Sequence, residues 1–587
     1  MTRMAIDPVT RVGGHLRIEA DVSGGKVADA WSSGTMFRGI ELVLRNRDPR
    51  DAWMFAERIC GTCTGVHALA SVRAVEKALG VTVPTNARLI RNVLAATQLV
   101  HDHVVQFYLA QLPDWVDAKA ALGADPAATS TLARSLGSWP QSSPDYFGGV
   151  RDRLAAEIAD GRGGLYANGY WGHPAYRLSP EQGLLLLAHG LEALDWQRRH
   201  MRIHALLGGR DPHPQSYLVG GMTLAPEWGG PIGPGTHPTV PDHDAPMALS
   251  EAGLKIVDDL TTSALTFVEQ VFLPDVLALA KAYPDWATTG KGVGRFLSYG
   301  EFPEDDGAKP LLYLPRGRVT APGLAAVDGV DQAAVAETVA SAWYTDPEGS
   351  GTLRRPAEGE TSPTYSGPAL PVRTLEGSAQ YSWIKAPRYD GQPMEVGPLA
   401  RLLVAYVDGH KDTQAALSTA MTAIGMTPDG LISTMGRIVA KAVETQIVAK
   451  RADGWLWELK SSLATGDLAV ADLSRWDPST WPGAAEGWSL GEGPRGAVGH
   501  WVTVRDRVVQ RYQVVDATTW NASPRDATGA RGPMEAALVG TPVADATQPL
   551  EILRTVHSFD PCTACAVHAL DSPGAIEVRA LDREVRR

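Results

Sequence analysis

The chain has 587 residues, of which 44% are hydrophobic and 20% are charged, so it can bury a large core and should be globular. Its formal net charge of −12 at pH 7 argues against a nucleic-acid partner, because binding to phosphates requires a basic face. The N-terminus lacks the apolar core of a signal peptide, and no uninterrupted apolar run reaches membrane-spanning length. We therefore expect a soluble cytoplasmic protein, unless a partner takes the chain to a membrane.

A β-hairpin is predicted over 15–31, where polar and apolar residues partly alternate around Gly24 and Gly25. Long helical patterns follow, each with apolar residues at the spacing of one helix face. These patterns cover 86–112, 184–207, 249–283 and 431–463. Pro113 ends the first pattern, and Pro274 lies inside the third.

Two stretches rich in glycine, proline and polar residues, 226–246 and 345–371, are predicted to be long surface loops. A second hairpin is predicted over 501–515, turning at 505–507. No internal repeat and no linker divides the chain. The predicted fold is therefore α+β and mostly helical, a large single unit around a bundle of long helices with small β-hairpins near both termini.

All four cysteines occur in two short pairs, Cys60 with Cys63 and Cys562 with Cys565. Each spacing lets both sulfurs reach one centre, which indicates a tetrathiolate metal site between the bundle and the termini. Structural zinc fits four thiolates, but such sites usually close short loops. A redox disulfide would leave one pair unexplained. A catalytic site for nickel, iron or copper is the third interpretation.

The residues around the pairs resemble the two signature motifs of the nickel-iron hydrogenase large subunit. These motifs are ERICGTCTGVH at 57–67 and SFDPCTACAVH at 558–568. The resemblance continues along essentially the whole chain, through DPVTR at 7–11, FRGIE at 37–41, RDPRD at 47–51 and WNASPRD at 520–526. It is closest to the uptake hydrogenases.

The resemblance implies a nickel-iron centre held by the four thiolates. Cys60 and Cys562 would be terminal nickel ligands, whereas Cys63 and Cys565 would bridge nickel and iron. Iron in this family also carries carbonyl and cyanide ligands. Thr518 would donate a hydrogen bond to a cyanide ligand, and Pro494 is assigned with it to cofactor binding.

The resemblance also implies a set of side chains around the centre. Arg495 would hold a fixed positive charge near the substrate, with the carboxylates of Asp102 and Asp560 around it. His67 lies four residues after Cys63 and could donate a hydrogen bond to a bridging sulfur. The alternative for the histidine is an ordinary packed core residue, and the alternative for the carboxylates is a structural buried ion pair.

A magnesium ion is implied as a second metal. Glu41 and His568 match the side chains that hold it in the family, together with a backbone carbonyl near Val514. Magnesium prefers oxygen ligands and retains water, so a histidine ligand is atypical. A surface salt bridge is the alternative role for Glu41.

The chain departs from the family pattern at Gly13, where many relatives have the glutamate that first accepts the proton. Heterolytic splitting of hydrogen requires a titratable group or an ordered water within hydrogen-bond reach. Either water fills the space and passes the proton to another carboxylate, or turnover is much slower than in relatives. Asp560 is a candidate for that carboxylate, and Glu19 and Glu57 are weaker ones. At Ala517, where close relatives tend to have proline, we expect a change in packing more than in chemistry.

The predicted function is the catalytic subunit of an uptake hydrogenase, which splits H2 into protons and electrons. All four cysteines are committed to the centre, so electrons must leave through an iron-sulfur small subunit and then a membrane cytochrome or quinone-linked acceptor. If that partner carries an export signal, the complex is membrane-associated.

In the family, a maturation protease removes the residues after the last motif. This implies a catalytic domain over 1–568 and a removable extension over 569–587, whose alternative is a disordered terminus. Two other functions stay open: a hydrogen sensor, against which the extension argues, and a metal-free redox-complex subunit of the same fold, against which the four cysteines argue.

Overall fold

The protein is described from a computed structural model, which covers residues 2–163, 169–226, 247–307, 309–324, 329–358, 361–366 and 379–566. The predicted loop over 226–246, except for its first residue, lies outside these residues. So do His568, the extension over 569–587 and part of the predicted loop over 345–371.

Helices make up most of the regular structure in this part of the chain. They are α1 (Ile40–Val43), α2 (Ala52–Ala56), α3 (Val66–Leu79), α4 (Thr85–Val105), α5 (Pro126–Leu136), α6 (Pro144–Ala159), α7 (Pro180–His200), α8 (Arg202–Gly208), α9 (Glu251–Phe267), α10 (Leu273–Ala282), α11 (Pro398–Val407), α12 (Lys411–Ile424), α13 (Pro428–Leu431), α14 (Thr434–Ala464), α15 (Ala517–Asn521), α16 (Pro533–Leu538), α17 (Leu550–Ser558) and α18 (Thr563–Ala566).

The strands are short and mostly antiparallel. They are β1 (Thr2–Ile6), β2 (Leu16–Ser23), β3 (Lys26–Gly34), β4 (Tyr217–Leu218), β5 (Gly221–Met222), β6 (Arg295–Ser298), β7 (Glu301–Pro303), β8 (Leu312–Leu314), β9 (Gly317–Thr320), β10 (Val335–Thr338), β11 (Tyr344–Thr345), β12 (Ser362–Pro363), β13 (Ala386–Tyr389), β14 (Ala484–Gly493), β15 (Gly496–Arg505) and β16 (Val508–Val515). The predicted α+β, mostly helical architecture is confirmed.

The bundle is built around α14, the longest helix, which packs along α4 and is flanked by α9, α10, α11 and α12. Ser433 begins α14 with a side-chain cap on the amide of Gly436. Most of the first four turns of α14 is buried, because the helix is surrounded by other helices rather than by solvent on one side. This bundle provides the rigid wall on which the cysteine segments rest.

Three predicted helices differ in detail from the structure. The first pattern continues beyond α4 as a π-helical segment, Gln106–Gln111. The second divides at Met201 into α7 and α8, and the third divides into α9 and α10 around the π-helical segment Val268–Phe272. Pro274 lies in the first turn of α10, where its missing amide hydrogen costs little.

Both predicted hairpins are present, and each belongs to a three-stranded sheet, in the orders β1-β2-β3 and β14-β15-β16. The first turns at Gly24 and Gly25, and the second at Asp506 and Arg507. All four turn residues have a positive φ, as a tight two-residue hairpin requires. The hairpin between β15 and β16 carries residues that approach the cysteine centre.

By length and composition, one helical stretch of the described chain, Glu251–Ala282, could cross a membrane. It contains charged residues that interrupt the apolar pattern, and half of its most apolar window is buried within the protein. This stretch packs against α14, as a core helix does.

Candidate metal centre

The four cysteine side chains converge in the interior, although the two pairs are 502 residues apart. The Sγ atoms are 2.7 Å apart in Cys60 and Cys63, and 2.9 Å apart in Cys562 and Cys565. Cys60 and Cys562 join the pairs at 3.9 Å. None of these distances is the bond length of a disulfide, about 2.05 Å. A buried set of four convergent sulfurs fits a soft metal ion.

Backbone contacts bring the two cysteine segments together. Gly13 forms a parallel β-bridge with Cys562, and its carbonyl accepts a hydrogen bond from the Thr563 hydroxyl at 3.1 Å. The Arg38 guanidinium donates to the carbonyl of Ile59, directly before Cys60, and to the carbonyl of Ala564, directly before Cys565. These contacts fix the first and last parts of the sequence to each other at the centre.

The buried thiols resist the loss of several protons. Burial raises the pKa of the Cys565 thiol well above its ordinary range, and the neighbouring sulfurs raise it further. Burial opposes ionisation of Cys60 too, but hydrogen bonds from Cys562, Cys565 and Cys63 lower its pKa well below the ordinary value. Without a metal, the four cysteine side chains therefore stabilise one thiolate, at Cys60. Four thiolates require a cation, so the donor set fits the metal centre that the sequence predicts.

Arg495 lies between two carboxylates beside the centre. Its Nη1 is 3.3 Å from Asp102 Oδ2, and its Nη2 is 3.1 Å from Asp560 Oδ1. Although burial would lower the pKa of Arg495, the charges of Asp560, Cys63 and Asp102 raise it well above its usual value. The guanidinium is therefore a fixed positive charge.

Helix α4 and the bundle hold these side chains in place. Gln98 on α4 donates to Asp102 Oδ1 at 2.7 Å and to the Thr62 carbonyl at 3.1 Å, which connects the acid to the first cysteine loop. Arg401 on α11 donates to the carbonyl of Pro494 at 3.1 Å and pairs with Glu444 on α14 at 2.6 Å. Arg401 thus fixes the turn that carries Arg495.

An open cavity of about 620 Å³ lies beside the centre. It is lined by Gly13, Asp102, Arg495 and Asp560, together with Thr62 from the first cysteine loop. Because a glycine and several charged side chains share its wall, the cavity is suited to small molecules and water.

His67 lies at the start of α3 and is buried. Burial lowers its pKa to about 4, and the charge of Cys60 opposes that shift. The imidazole is therefore neutral, and its Nδ1 is 3.0 Å from Nε2 of His500 on β15. The predicted contact between His67 and a bridging sulfur stays a prediction.

Glu41 is buried, so the alternative of a surface salt bridge does not apply. Burial raises its pKa to about 8, despite the nearby Lys385. Its Oε1 accepts a hydrogen bond from the Val514 amide at 2.7 Å, whereas Oε2 has no hydrogen-bond partner in the described part of the chain. The observed contact uses the Val514 amide, while the predicted magnesium ligand is a carbonyl. The unpartnered oxygen fits a cation.

Gly13, Thr518 and Ala517 all lie close to the last cysteine pair. A Cβ atom at Gly13 would be 2.8 Å from Cys562 Sγ, closer than real Cβ contacts, so a larger residue such as the glutamate of many relatives requires the Cys562 side chain to shift. The Thr518 hydroxyl oxygen accepts from the Cys562 amide at 2.9 Å and keeps its own proton to donate. Ala517 begins α15 and is buried.

Sequence reasoning did not assign roles to Arg38, Gln98, Arg401, Lys441 or His500. Arg38 stands in the motif at 37–41, which carried the resemblance and could have indicated it. The others have partners from distant segments, as with Lys441, whose Nζ is 2.9 Å from Gln106 Oε1 and 3.8 Å from Asp560. Nothing local in the sequence indicates such contacts.

Comparisons with known proteins agree with this geometry. The family model described as nickel-dependent hydrogenase matches residues 38–568. The hydrogenase-1 large chain of Citrobacter freundii is 45% identical over 98% of this chain and 97% of its own length. The uptake hydrogenase large subunit of Rhizobium leguminosarum bv. viciae is 43% identical, over 97% and 96% respectively.

Solved structures show the same fold. The [NiFeSe] hydrogenase of Desulfovibrio vulgaris Hildenborough in its oxidised state aligns with a TM-score of 0.74 and 31% identity, over 97% of this chain and 100% of that chain. The Ni-Fe-Se hydrogenase of Desulfomicrobium baculatum aligns with a TM-score of 0.73 at the same identity and coverage.

The chain belongs to the nickel-dependent hydrogenases. It is the large subunit of an oxidoreductase that acts on H2, with a nickel-iron active site.

Proposed function

We propose that the chain is the catalytic subunit of an uptake hydrogenase, which oxidises H2 and passes electrons to an iron-sulfur small subunit. The observation that carries this proposal is the convergence of four buried thiols beside Arg495, a side chain that lines an accessible cavity. The similarity to proteins named uptake hydrogenase large subunits supports the direction of the reaction.

The four cysteines would hold the metal centre, with Cys60 and Cys562 terminal on nickel and Cys63 and Cys565 bridging to iron. When bound, this centre supplies the site of heterolytic H2 cleavage. Carbonyl and cyanide ligands on iron are part of the proposal, with Thr518 donating to a cyanide. The Thr518 hydroxyl already accepts from the Cys562 amide, which orients its proton away from that amide.

Arg495 contributes a fixed positive charge at the cavity wall. Its two carboxylate partners lie on different elements, Asp102 on α4 and Asp560 after α17, so the guanidinium is held from two sides. Such a preorganised charge stabilises developing negative charge without reorganisation during the reaction. Its burial strengthens that effect.

Protons would leave through Asp560 and water in the cavity, since Gly13 has no side chain to accept them. Asp560 lines the cavity and contacts Arg495. Glu19 is a poorer carrier because it does not line this cavity and lies in the first sheet, paired with Arg3 and Arg17. Burial raises the pKa of Glu57 to about 7, so this carboxylate can exchange protons near neutrality, but Arg58 binds it.

The wider assembly is part of the proposal. The small subunit would pass electrons to a membrane cytochrome or a quinone-linked acceptor and would place the complex at the membrane if it carries an export signal. Without such a signal, the complex would be cytoplasmic. A maturation protease would remove 569–587 after the nickel is inserted.

We predict that the purified two-subunit complex reduces an artificial dye in the presence of H2, and that Cys60→Ser abolishes both this activity and the bound nickel. Gly61→Ala is the matched control within the same loop, because its Cβ meets no atom within 4 Å. Dye reduction that survives in Cys60→Ser, or that is absent in the nickel-loaded natural complex, would contradict the proposal.

The magnesium site predicts a specific pH dependence. In the folded chain without magnesium the pKa of Glu41 is about 8, whereas in the unfolded chain it is about 4.3. The unfolded state therefore loses its proton first, and stability falls as pH rises from about 4.3 to about 8, by about 5 kcal/mol in total.

We expect Mg²⁺ to restore stability at pH 9 in the chelator-treated protein, and Glu41→Gln to remove both the loss and the rescue. Urea denaturation at pH 6 and pH 9 measures this, with Glu486→Gln, on the outer strand β14, as the control. Failure of Mg²⁺ to raise the stability of the chelated natural chain at pH 9 would contradict a magnesium role for Glu41.

A further inference from the structure

A buried chain of hydrogen bonds leads from His67, at the start of α3, into the second sheet. Nδ1 of His67 is 3.0 Å from Nε2 of His500, and Nδ1 of His500 is 2.7 Å from the Tyr512 hydroxyl. All three side chains are at most 1% exposed. The nearest metal ligand in sequence is Cys63, and the charge of Cys60 acts on the His67 ring.

The fold places these groups in line. β15 and β16 are antiparallel neighbours, with His500 opposite Val514 and Tyr512 opposite Val502. His500 and Tyr512 are therefore diagonal neighbours on one face of the sheet, and α3 packs against this sheet with His67 in its first turn. The position of these three hydrogen-bonded side chains is thus determined by the sheet register and by α3.

His67 is neutral because burial lowers its pKa to about 4, and with one N–H on each ring the two imidazoles permit only two arrangements. In the first, Tyr512 donates to His500, His500 donates to His67 Nδ1, and Nε2 of His67 carries a proton. In the second, every hydrogen bond is reversed, and Nε2 of His67 presents a lone pair. Only the first arrangement leaves His67 able to donate a hydrogen bond to a thiolate.

We propose that Tyr512 and His500 are positioning residues that fix the tautomer of His67, so that its Nε2–H faces the negative cysteine sulfurs. This inference rests on the proposed function. The thiolate charge at one end and the phenol proton at the other favour the same arrangement, so the two ends reinforce each other. Burial raises the pKa of Tyr512 and keeps its hydroxyl protonated, although a hydrogen bond with the Ser71 side chain opposes that shift.

The arrangement affects the sulfur electronically. A hydrogen bond donated to a ligating thiolate withdraws electron density from it and stabilises the reduced state of the centre. Tyr512→Phe removes the hydroxyl that orients His500, so His67 is no longer held in the first tautomer and its hydrogen bond to the thiolates weakens. The midpoint potential of the nickel centre would then become more negative.

The test compares Tyr512→Phe with the natural two-subunit complex, both loaded with nickel. Pulsed electron paramagnetic resonance measures the ¹⁴N coupling of an imidazole to the nickel spin, and a redox titration measures the midpoint potential. We expect the coupling to weaken or vanish, the potential to become more negative, and kcat to fall about tenfold at unchanged KM. An unchanged coupling and potential would overturn the proposal.

Two further variants separate positioning from general damage. Tyr283→Phe removes another buried hydroxyl, which donates to the Trp115 carbonyl at 2.9 Å, and should change neither readout.

In the double variant Tyr512→Phe with His500→Gln, the glutamine amide can donate to His67 Nδ1 without Tyr512. This variant should therefore regain the ¹⁴N coupling, and failure to regain it would count against tautomer control. A natural complex without nickel would instead contradict the proposed function.

Discussion

The contact between the two cysteine segments is the interaction on which the rest of the site depends. Closing a loop of about 500 residues is entropically costly, although the cost grows only slowly with length. The Gly13 bridge to Cys562 and the Arg38 contacts to both segments provide specific enthalpic contacts at the closing point. A metal that binds all four sulfurs would add far more, so metal insertion and closure of the chain reinforce each other.

Charge is the second constraint on this interior. Several thiolates, together with Asp102 and Asp560, would be unstable when buried without positive partners. Arg495 supplies one positive charge and the bound metals supply the rest. The same logic applies at Glu41, whose burial and unpartnered oxygen call for a cation. Both sites are therefore buried polar groups that bound metals would stabilise.

The sequence predicted the parts of the structure that local patterns determine. The turns at Gly24–Gly25 and at Asp506–Arg507 follow from residue types and spacing, and so do the long helices. Helix interruptions were missed where a π-helical segment keeps the apolar period nearly intact, as at Val268–Phe272. The convergence of the cysteines, and the pairing of Arg495 with Asp102 and Asp560, came from the motifs and the family resemblance.

Contacts that depend on the approach of distant backbone segments could not be predicted. The proximity of Gly13 to Cys562 explains why glycine fits there, yet it involves segments at opposite ends of the chain. Strand register determines which backbone group of Val514 faces Glu41, and the amide rather than the carbonyl contacts the carboxylate. His500 has no local signal, because its partners lie on α3 and β16.

X-ray absorption at the nickel edge of the purified complex tests the central claim most directly. If the four cysteines hold the metal, every ligand that the protein gives to nickel should be a sulfur atom, and there should be up to four of them. Iron should be the next heavy neighbour. A first shell dominated by nitrogen or oxygen, or the absence of nickel from an active complex, would contradict the assignment of Cys60, Cys63, Cys562 and Cys565 as one catalytic centre.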